Sequence, residues 1–180
     1  FARDEQLLEW AILPLDTDTA RGPYGMRIVK GIGYVRNGEV RFFESLEGDA
    51  RLAAQLLVHS DAPQAFGVSV GGYVWSICDG SRSVLVAPSG EEVASRKAGA
   101  LSRGPCGLVE LEVVGRRIRA SLAGKVEFDL ALPEPAGAAP PTLFARRDTL
   151  IGFDDVEVEG TASKKSAYAN DVKRRLLASI

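Results

Sequence analysis

Three short segments between residues 109 and 130 alternate between apolar and polar side chains. The first reads VELEV (109–113), the second IRASL (118–122) and the third VEFDL (126–130), and glycine-containing turns separate them. A period of two places the apolar side chains on one face of a strand. Tight turns between such strands predict an antiparallel meander with one face in a core and the other in water. The predicted core positions of this meander are Val109, Leu111, Val113, Ile118, Leu122, Val126, Phe128 and Leu130.

Upstream of the meander, further strands are predicted in pairs around turn signals. Asn37-Gly38 separates the apolar segments 32–36 and 40–43. Because Asn-Gly supplies the positive φ angles of a type I′ turn, these segments are predicted to form a hairpin. A second pair is predicted between 54–59 and 66–70, around the sequence Asp-Ala-Pro.

A third hairpin is predicted between 73–78 and 83–87, around Asp79-Gly80. Gly71-Gly72 lies inside a long apolar stretch and indicates a bulge or a bend. The segment 133–142 contains four prolines and is predicted to be a long edge loop. About ten short strands without intervening helices favour a sandwich over a βαβ fold.

The two ends of the chain carry different patterns. Residues 4–12 are predicted to form either a short helix or a first strand. Near the other end, Tyr168, Val172, Leu176 and Ile180 recur at a spacing of four, which predicts an amphipathic helix. Residues 161–180 carry a net charge of +4, although the 180-residue chain as a whole carries −2. The expected organisation is a sandwich domain over 1–160, followed by a basic C-terminal helix over 161–180 that is available to a partner protein.

Composition excludes several classes of protein. Twenty-two basic residues against 24 acidic ones argue against a dedicated nucleic-acid-binding protein, and no apolar run reaches the length of a membrane span. Cys78 and Cys106 lie apart from each other, and His59 is the single histidine, so a structural zinc site is not expected. The two cysteines form either a disulfide, if the chain is exported, or two buried thiols.

The segment IGFDDVEV (151–158) closes the β region and resembles the last strand of concanavalin A-like lectin and glucanase jelly rolls. This group includes laminin-G-like domains and the 3-keto-disaccharide hydrolase-like domains of bacteria. The segments NGEV (37–40), FGVSVGGY (66–73) and 108–130 are similar to earlier strands of these proteins. The usual Gly-x-Gly-Leu strand before the final one is replaced here by TLFAR (142–146).

The resemblance covers about residues 26–159 and implies an all-β, two-sheet antiparallel sandwich of the jelly-roll type. It also implies a carbohydrate-related role. The E-x-D-x-x-E strand of the retaining glucanases in this group is missing, which argues against a classical glucanase.

Aromatic residues are the candidates for ligand binding. Flat rings match the apolar face of a pyranose, so Tyr34, Tyr73 and Trp75 are a candidate stacking platform, although core aromatics have the same signature. His59 is included as a candidate binding residue. It is not part of a triad with the adjacent serine and aspartate, because neighbours on one strand cannot point at one another.

Carboxylates are the candidates for metal binding and acid–base chemistry. Asp154 and Asp155 interrupt the alternation of the last strand, which predicts a bulge and makes them candidate Ca²⁺ ligands, although calcium takes six to eight oxygens. Two further carboxylate pairs lie on strands, at Glu110/Glu112 and Glu127/Asp129. Their spacing of about 7 Å is compatible with an inverting glycosidase, and it is also typical of charge pairing on a solvated sheet.

Three functions follow as hypotheses. The first is a non-catalytic module that binds carbohydrate or protein on a concave sheet face, in a bacterial cell envelope or on a secreted protein. The second is a glycoside hydrolase similar to the 3-keto-disaccharide hydrolase-like domains, which needs two carboxylates, or a metal with His59, in one cleft. The third is a structural or assembly domain that acts through its C-terminal helix. An extracytoplasmic location is expected, with a cytoplasmic one as the alternative.

Overall fold

The computed structural model describes residues 10–14, 25–29, 32–42, 44–61, 63–99 and 101–163. Within these residues the chain is entirely β, with antiparallel pairing throughout and no helix. The predicted C-terminal helix and the candidate helix or strand before Trp10 lie outside the described residues. The strands are β1 (Trp10–Pro14), β2 (Gly25–Val29), β3 (Ile32–Phe42), β4 (Leu46–Val58), β5 (Ala65–Val70), β6 (Tyr73–Asp79), β7 (Arg82–Val86), β8 (Glu92–Lys97), β9 (Gly104–Val114), β10 (Arg117–Leu122), β11 (Lys125–Ala131) and β12 (Thr142–Ala162).

Two long strands, β3 and β12, connect the two halves of the sandwich. The first half of β12 pairs with β5 and with the end of β3, whereas its second half pairs with β4 and with the start of β3. The first sheet therefore has the order β1-β3-β12-β5-β6-β7-β8, and the second has the order β2-β3-β12-β4-β9-β10-β11. One continuous sheet is thus folded over itself, as a jelly-roll sandwich requires.

The chain bends from the first sheet into the second at the point where the pairing of β3 with β12 changes register. Asn37 on β3 and Arg147 and Asp148 on β12 have positive φ angles of 45°, 53° and 58°. The Asn37 side-chain amide donates to Asp148 Oδ1 at 3.0 Å, and the Asp148 backbone N–H donates to Asn37 Oδ1 at 2.8 Å. These reciprocal hydrogen bonds hold two bulges together, and the bulges turn both strands from one sheet into the other.

Two glycine-containing turn signals have exchanged roles relative to the sequence prediction. Asn37-Gly38 does not form a hairpin, because β3 runs through it without interruption. Gly71-Gly72 is the actual hairpin turn, with φ angles of 59° and 81°, and it joins β5 to β6. Both signals require positive φ, and the structure uses the first for a bulge inside a strand and the second for a turn.

Other predicted pairings have mixed outcomes. The hairpin between 73–78 and 83–87 is confirmed as β6 and β7, and the meander is confirmed as β9, β10 and β11. The pairing of 54–59 with 66–70 is wrong, because β4 and β5 are both partners of β12 and belong to different sheets. The proline-rich segment 133–142 is confirmed as a loop up to the start of β12 at Thr142, with one isolated bridge from Ala139 to Leu46.

The core lies between the two sheets and is built around large aromatic residues. Trp75, Tyr73, Phe66 and Phe153 are almost completely buried. The indole N–H of Trp75 donates to Ser83 Oγ at 3.0 Å, so its one polar atom is satisfied inside the core.

The core predicted for the meander is confirmed apart from one residue. Five positions are buried, and Leu122 and Leu130 pack against the core from partly buried positions. Val126 is 37% exposed, because the pairing of β10 with β11 shifts register between Ala120 and Ser121. The shift brings Val126 opposite Ser121 and breaks the regular alternation.

The edge strands of the two sheets are joined by an ion pair. Arg96 on β8 lies 3.1 Å from the Glu127 carboxylate on β11, and it also donates to the Glu127 carbonyl at 2.9 Å. The sandwich is therefore nearly closed on this side. Cys78 and Cys106 are both free thiols, the first buried and the second partly buried. No helix in the described ranges is long and apolar enough to cross a membrane.

Candidate functional site

The side of the first sheet that faces away from the core is called here the first outer face. Its position follows from alternation, since Leu143 and Ala145 on β12 point into the core and Phe144 between them points outward. The register then identifies the residues that share this face across the sheet. They are Glu39, Arg41, Ser69, Val74, Ser76, Arg82, Val84, Val86, Glu92, Ser95, Thr142, Phe144 and Arg146.

The centre of the first outer face is buried although it lies outside the core. Phe144 is 5% exposed and Val84 is 7% exposed, and neither belongs to the core cluster. Thr142 and Glu39 are buried to a similar degree. Arginine side chains of the same face help to shield this strip from water, since Arg146 lies against Phe144 and Arg82 extends past Val84 to Glu92 and Ser95.

Phe144 is the aromatic residue of this strip. It lies opposite Gly67 on β5, and the Arg146 guanidinium is 5.1 Å from the centre of its ring. A Cβ at Gly67 would lie 2.8 Å from the tip of the ring and 2.0 Å from the Trp75 carbonyl oxygen. Glycine at position 67 is therefore required for the ring to lie flat on the sheet.

The polar groups around the strip are paired and do not converge on one point. Glu39 forms an ion pair with Arg41, and Arg82 contacts both Glu92 at 2.6 Å and Ser95. Asp79 at the end of β6 pairs with an arginine of β12 at 2.9 Å.

Three carboxylates of this face lie on different strands, Glu39 on β3, Asp79 at the end of β6 and Glu92 on β8. In the order of the first sheet, β3 and β6 are three strand spacings apart, and β6 and β8 are two. Each of the three carboxylates forms an ion pair with an arginine.

The corresponding side of the second sheet, called here the second outer face, is a charged surface. Its centre is Arg51, which contacts Glu110 at 2.8 Å, Glu159 at 2.9 Å and Glu157 at 3.3 Å. The Ser121 hydroxyl also donates to Glu110 at 3.0 Å. The hydrogen bond from Arg51 lowers the pKa of Glu110 below its ordinary value, although partial burial acts in the opposite direction.

Three of the four carboxylates noted as pairs in the sequence are held in ion pairs. Glu110 is held by Arg51, Asp129 by Arg117 at 2.5 Å, and Glu127 by Arg96 on the other sheet. Cross-strand charge pairing therefore accounts for Glu110, Glu127 and Asp129.

Tyr34 and His59 are brought together on the second outer face. Their ring centroids are 4.9 Å apart in an edge-to-face arrangement with an interplanar angle of 62°. The His59 Nε2 atom is buried and has no hydrogen-bond partner. Burial lowers the pKa of His59, and the charge of Arg103 adds to this effect. Two of the four candidate binding residues thus form a pair, with one unsatisfied polar atom.

The other two candidate binding residues are core residues, which corrects the proposed stacking platform. Tyr73 and Trp75 are both 0% exposed, so neither offers a ring face to a ligand. The Tyr73 hydroxyl donates to the Glu134 carbonyl at 2.5 Å, and this bond ties the proline-rich loop to β6. The sequence analysis missed Phe144, because a single outward aromatic in an apolar strand has the same signature as a core residue.

Asp154 and Asp155 lie at the predicted bulge of β12. Asp155 has a φ of 48°, and its backbone N–H donates to Asp154 Oδ1 at 2.9 Å. The register with β4 shifts at the same place. Within the described ranges, no group of three or more His, Cys, Asp or Glu residues is arranged to hold a metal ion.

Comparison with known proteins places this architecture in a class. No family model and no curated protein sequence matches the chain. Solved structures do match it. The carbohydrate-binding module CBM66 from Bacillus subtilis has a TM-score of 0.58 at 13% identity, over 84% of this chain and 96% of that one. A β-1,3-glucanase from Mycobacterium marinum has a TM-score of 0.61 at 12% identity, over 84% of this chain and 91% of that one.

The exoplasmic/lumenal domain of VIP36, in a form bound to Ca²⁺ and Man3GlcNAc, has a TM-score of 0.56 at 8% identity, over 91% of this chain and 88% of that one. The fold is therefore the concanavalin A-like jelly roll, as the sequence resemblance implied. At these identities the likeness establishes the fold alone. Binding modules and enzymes share this fold, so function must be argued from the site.

Proposed function

We propose that this domain is a non-catalytic carbohydrate-binding module whose ligand surface is the first outer face. The observation that carries the proposal is the group of hydroxyl and guanidinium donors on this face, Ser69, Ser76 and the exposed Arg146, which surround the Phe144 ring. The ring itself is 5% exposed and supports this surface from below. Hydroxyl and guanidinium donors suit a sugar, which presents a rim of hydroxyl groups.

Two further arguments support a binding role over a catalytic one. The carboxylates Glu39, Asp79 and Glu92 in the described part of this face are each paired with an arginine, whereas a glycosidase needs one carboxyl group as an acid and another as a base or nucleophile. Among proteins with the same fold, CBM66 is named a carbohydrate-binding module and VIP36 has been seen with an oligosaccharide. An extracytoplasmic location, in a cell envelope or on a secreted protein, is part of the same proposal.

Isothermal titration calorimetry against a panel of neutral and acidic oligosaccharides tests the proposal, with separate arms in Ca²⁺ and in EDTA. The informative variant is Arg146→Met, which keeps a long side chain and removes the exposed guanidinium donor. We expect it to weaken binding at least tenfold. The matched control is Arg116→Met, an exposed arginine in the turn between β9 and β10, which should leave affinity unchanged. An equal affinity in wild type and Arg146→Met would exclude this face, and no heat with any sugar in either arm would reject the proposal.

A further inference from the structure

The first outer face carries two exposed cations that have no carboxylate partner among the described residues. Arg146 on β12 contacts the Phe144 ring, with its guanidinium carbon 5.1 Å from the ring centre. Lys97 is the last residue of β8 and is also exposed. Contact with an aromatic ring occupies no carboxylate or carbonyl acceptor, so the guanidinium of Arg146 can still donate to a ligand.

The other charges on the strands and rim of this face are already paired. The pairs are Arg41 with Glu39, Arg82 with Glu92, and Arg147 with Asp79. Arg146 and Lys97 therefore leave the described part of this face with two excess positive charges, although the whole chain carries −2. The second outer face has the opposite balance, since Arg51 pairs there with three carboxylates. A positive surface on a negatively charged protein favours an anionic ligand.

The two unpaired cations lie at opposite ends of one row that crosses the sheet. In the strand register, Arg146 is opposite Ala65 on β5, and Ala65 is opposite Asp79 on β6. Asp79 is opposite Arg82 on β7, and Arg82 is opposite Lys97. The row thus spans four strand spacings, which amount to about 19 Å. A single small anion cannot contact both ends, whereas an extended chain with several anionic groups can.

The groups between the two cations suit the uncharged part of a saccharide. Asp79 and Arg82 lie in the middle of the row, and each is neutralised by its own partner, at 2.9 Å and 2.6 Å. The hydroxyls of Ser76 and Ser69 belong to the same face beside this row. Neutral polar groups can bind sugar hydroxyls there, while the cations at the two ends bind acidic groups.

We propose that the ligand of the first outer face is an acidic oligosaccharide whose carboxylate or sulfate groups contact Arg146 and Lys97 at the two ends of this row. The inference rests on the proposed function and adds the chemical class of the sugar. The guanidinium of Arg146 provides paired N–H donors for an acidic group, and the ammonium of Lys97 provides a point charge. Because both cations are exposed, salt should screen their attraction for the ligand.

Isothermal titration calorimetry with matched pairs of oligosaccharides tests this inference. Each pair consists of an acidic oligosaccharide and the same compound without its charges. The pairs are an oligogalacturonate and its methyl ester, an oligoglucuronate and its methyl ester, and a sulfated galactan oligosaccharide and its desulfated form. We expect the acidic member of at least one pair to bind at least tenfold more tightly than its neutral counterpart. Added salt should reduce this difference.

Lys97→Met is the informative variant, because Arg146 also tests the proposed function. It should weaken binding of the acidic member at least threefold and leave binding of the neutral member unchanged. The matched control is Lys125→Met, which removes an exposed lysine at the start of β11 in the second sheet and should change neither affinity. Far-UV circular dichroism should show the same β spectrum for both variants and the wild type.

The possible outcomes distinguish this inference from the proposed function. Equal affinity for the two members of every pair would overturn the inference and leave the carbohydrate role intact. Binding of no oligosaccharide, acidic or neutral, would reject the carbohydrate role itself. An unchanged acidic affinity in Lys97→Met would also overturn the inference. So would an equal affinity for a single-stranded oligonucleotide, because the face would then be a general polyanion-binding surface.

Discussion

On the second outer face, Arg51 and three carboxylates satisfy one another in contact with water, whereas on the first outer face Phe144 and Val84 are buried on the outside of a sheet. Only β3 and β12 contribute to both faces, and the remaining strands of the two sheets are different. Arginine side chains have different roles on the two faces. On the second outer face Arg51 pairs with carboxylates, whereas on the first outer face Arg146 and Arg82 also lie against the apolar residues Phe144 and Val84.

The largest expected effect comes from placing a charge on each face. Val84→Asp should lower the free energy of unfolding by at least about 2 kcal/mol, because a carboxylate then replaces an apolar side chain at a position that is 7% exposed. Val114→Asp on the second outer face is the matched control and should stay within about 0.5 kcal/mol. Urea denaturation of both variants measures the difference. Equal effects of the two substitutions would remove the distinction between the faces.

A smaller effect is expected at the bulges that separate the faces. Asn37 combines a positive φ with two hydrogen bonds to Asp148. Asn37→Ala should cost about 1–2 kcal/mol, because alanine tolerates this conformation poorly and makes neither bond. Asn37→Gly tolerates the conformation and should cost less. Thermal unfolding compares the two variants. A lower melting temperature for Asn37→Gly than for Asn37→Ala would show that tolerance of positive φ is not the reason for asparagine at this position.

The ion-pair cluster should respond more weakly still. Arg51→Met should cost about 1 kcal/mol at pH 7, because the pairs are partly exposed. Arg51 lowers the pKa of Glu110, so this stabilisation is present above the ordinary carboxyl pKa of 4.5 and is lost as the pH falls through the lowered value in the folded protein. Stability of the variant should therefore fall less steeply than that of wild type below pH 4.5. Arg117→Met removes a more exposed pair and serves as the control, with an expected change near zero.

The smallest effect concerns the one unsatisfied atom described on the charged face. Burial lowers the pKa of His59 in the folded protein, so the unfolded chain takes up a proton first as the pH falls below 6.5. Stability should decline between pH 7 and 5.5 for this reason, and His59→Gln should flatten the decline. Because His59 is the only histidine of the chain, chemical denaturation across this window isolates its contribution. An identical slope in the variant would show that His59 keeps its ordinary pKa.

The sequence predicted local structure well and long-range structure poorly. The meander from Val109 to Leu130 follows from alternation and short turns, and the jelly roll follows from the resemblance of its last strand. The partners of β4 and β5 could not be predicted, because both pair with β12, more than 70 residues farther along the chain. Local turn chemistry was also insufficient, since Asn37-Gly38 and Gly71-Gly72 both indicate positive φ and only the second reverses the chain.

The candidate site was the least predictable part. Trp75 was proposed as a stacking residue and lies in the core, whereas Phe144 was not proposed and lies on the outer face. Alternation assigns neighbouring residues to opposite faces, but it does not say which face is the core when both are apolar. Around Phe144 both faces are apolar, and only the assembled sheet distinguishes them.

The central position of β12 also bears on how the protein is made. This strand is the last described one to leave the ribosome, and it lies in the interior of both sheets, between β3 and β5 in one and between β3 and β4 in the other. The first sheet cannot be completed before residue 146 has been synthesised, and the second cannot be completed before residue 162. Until then β5 and β4 each lack a neighbour, and unpaired strand edges readily pair with other chains. The domain must therefore complete its fold after synthesis of its last strand.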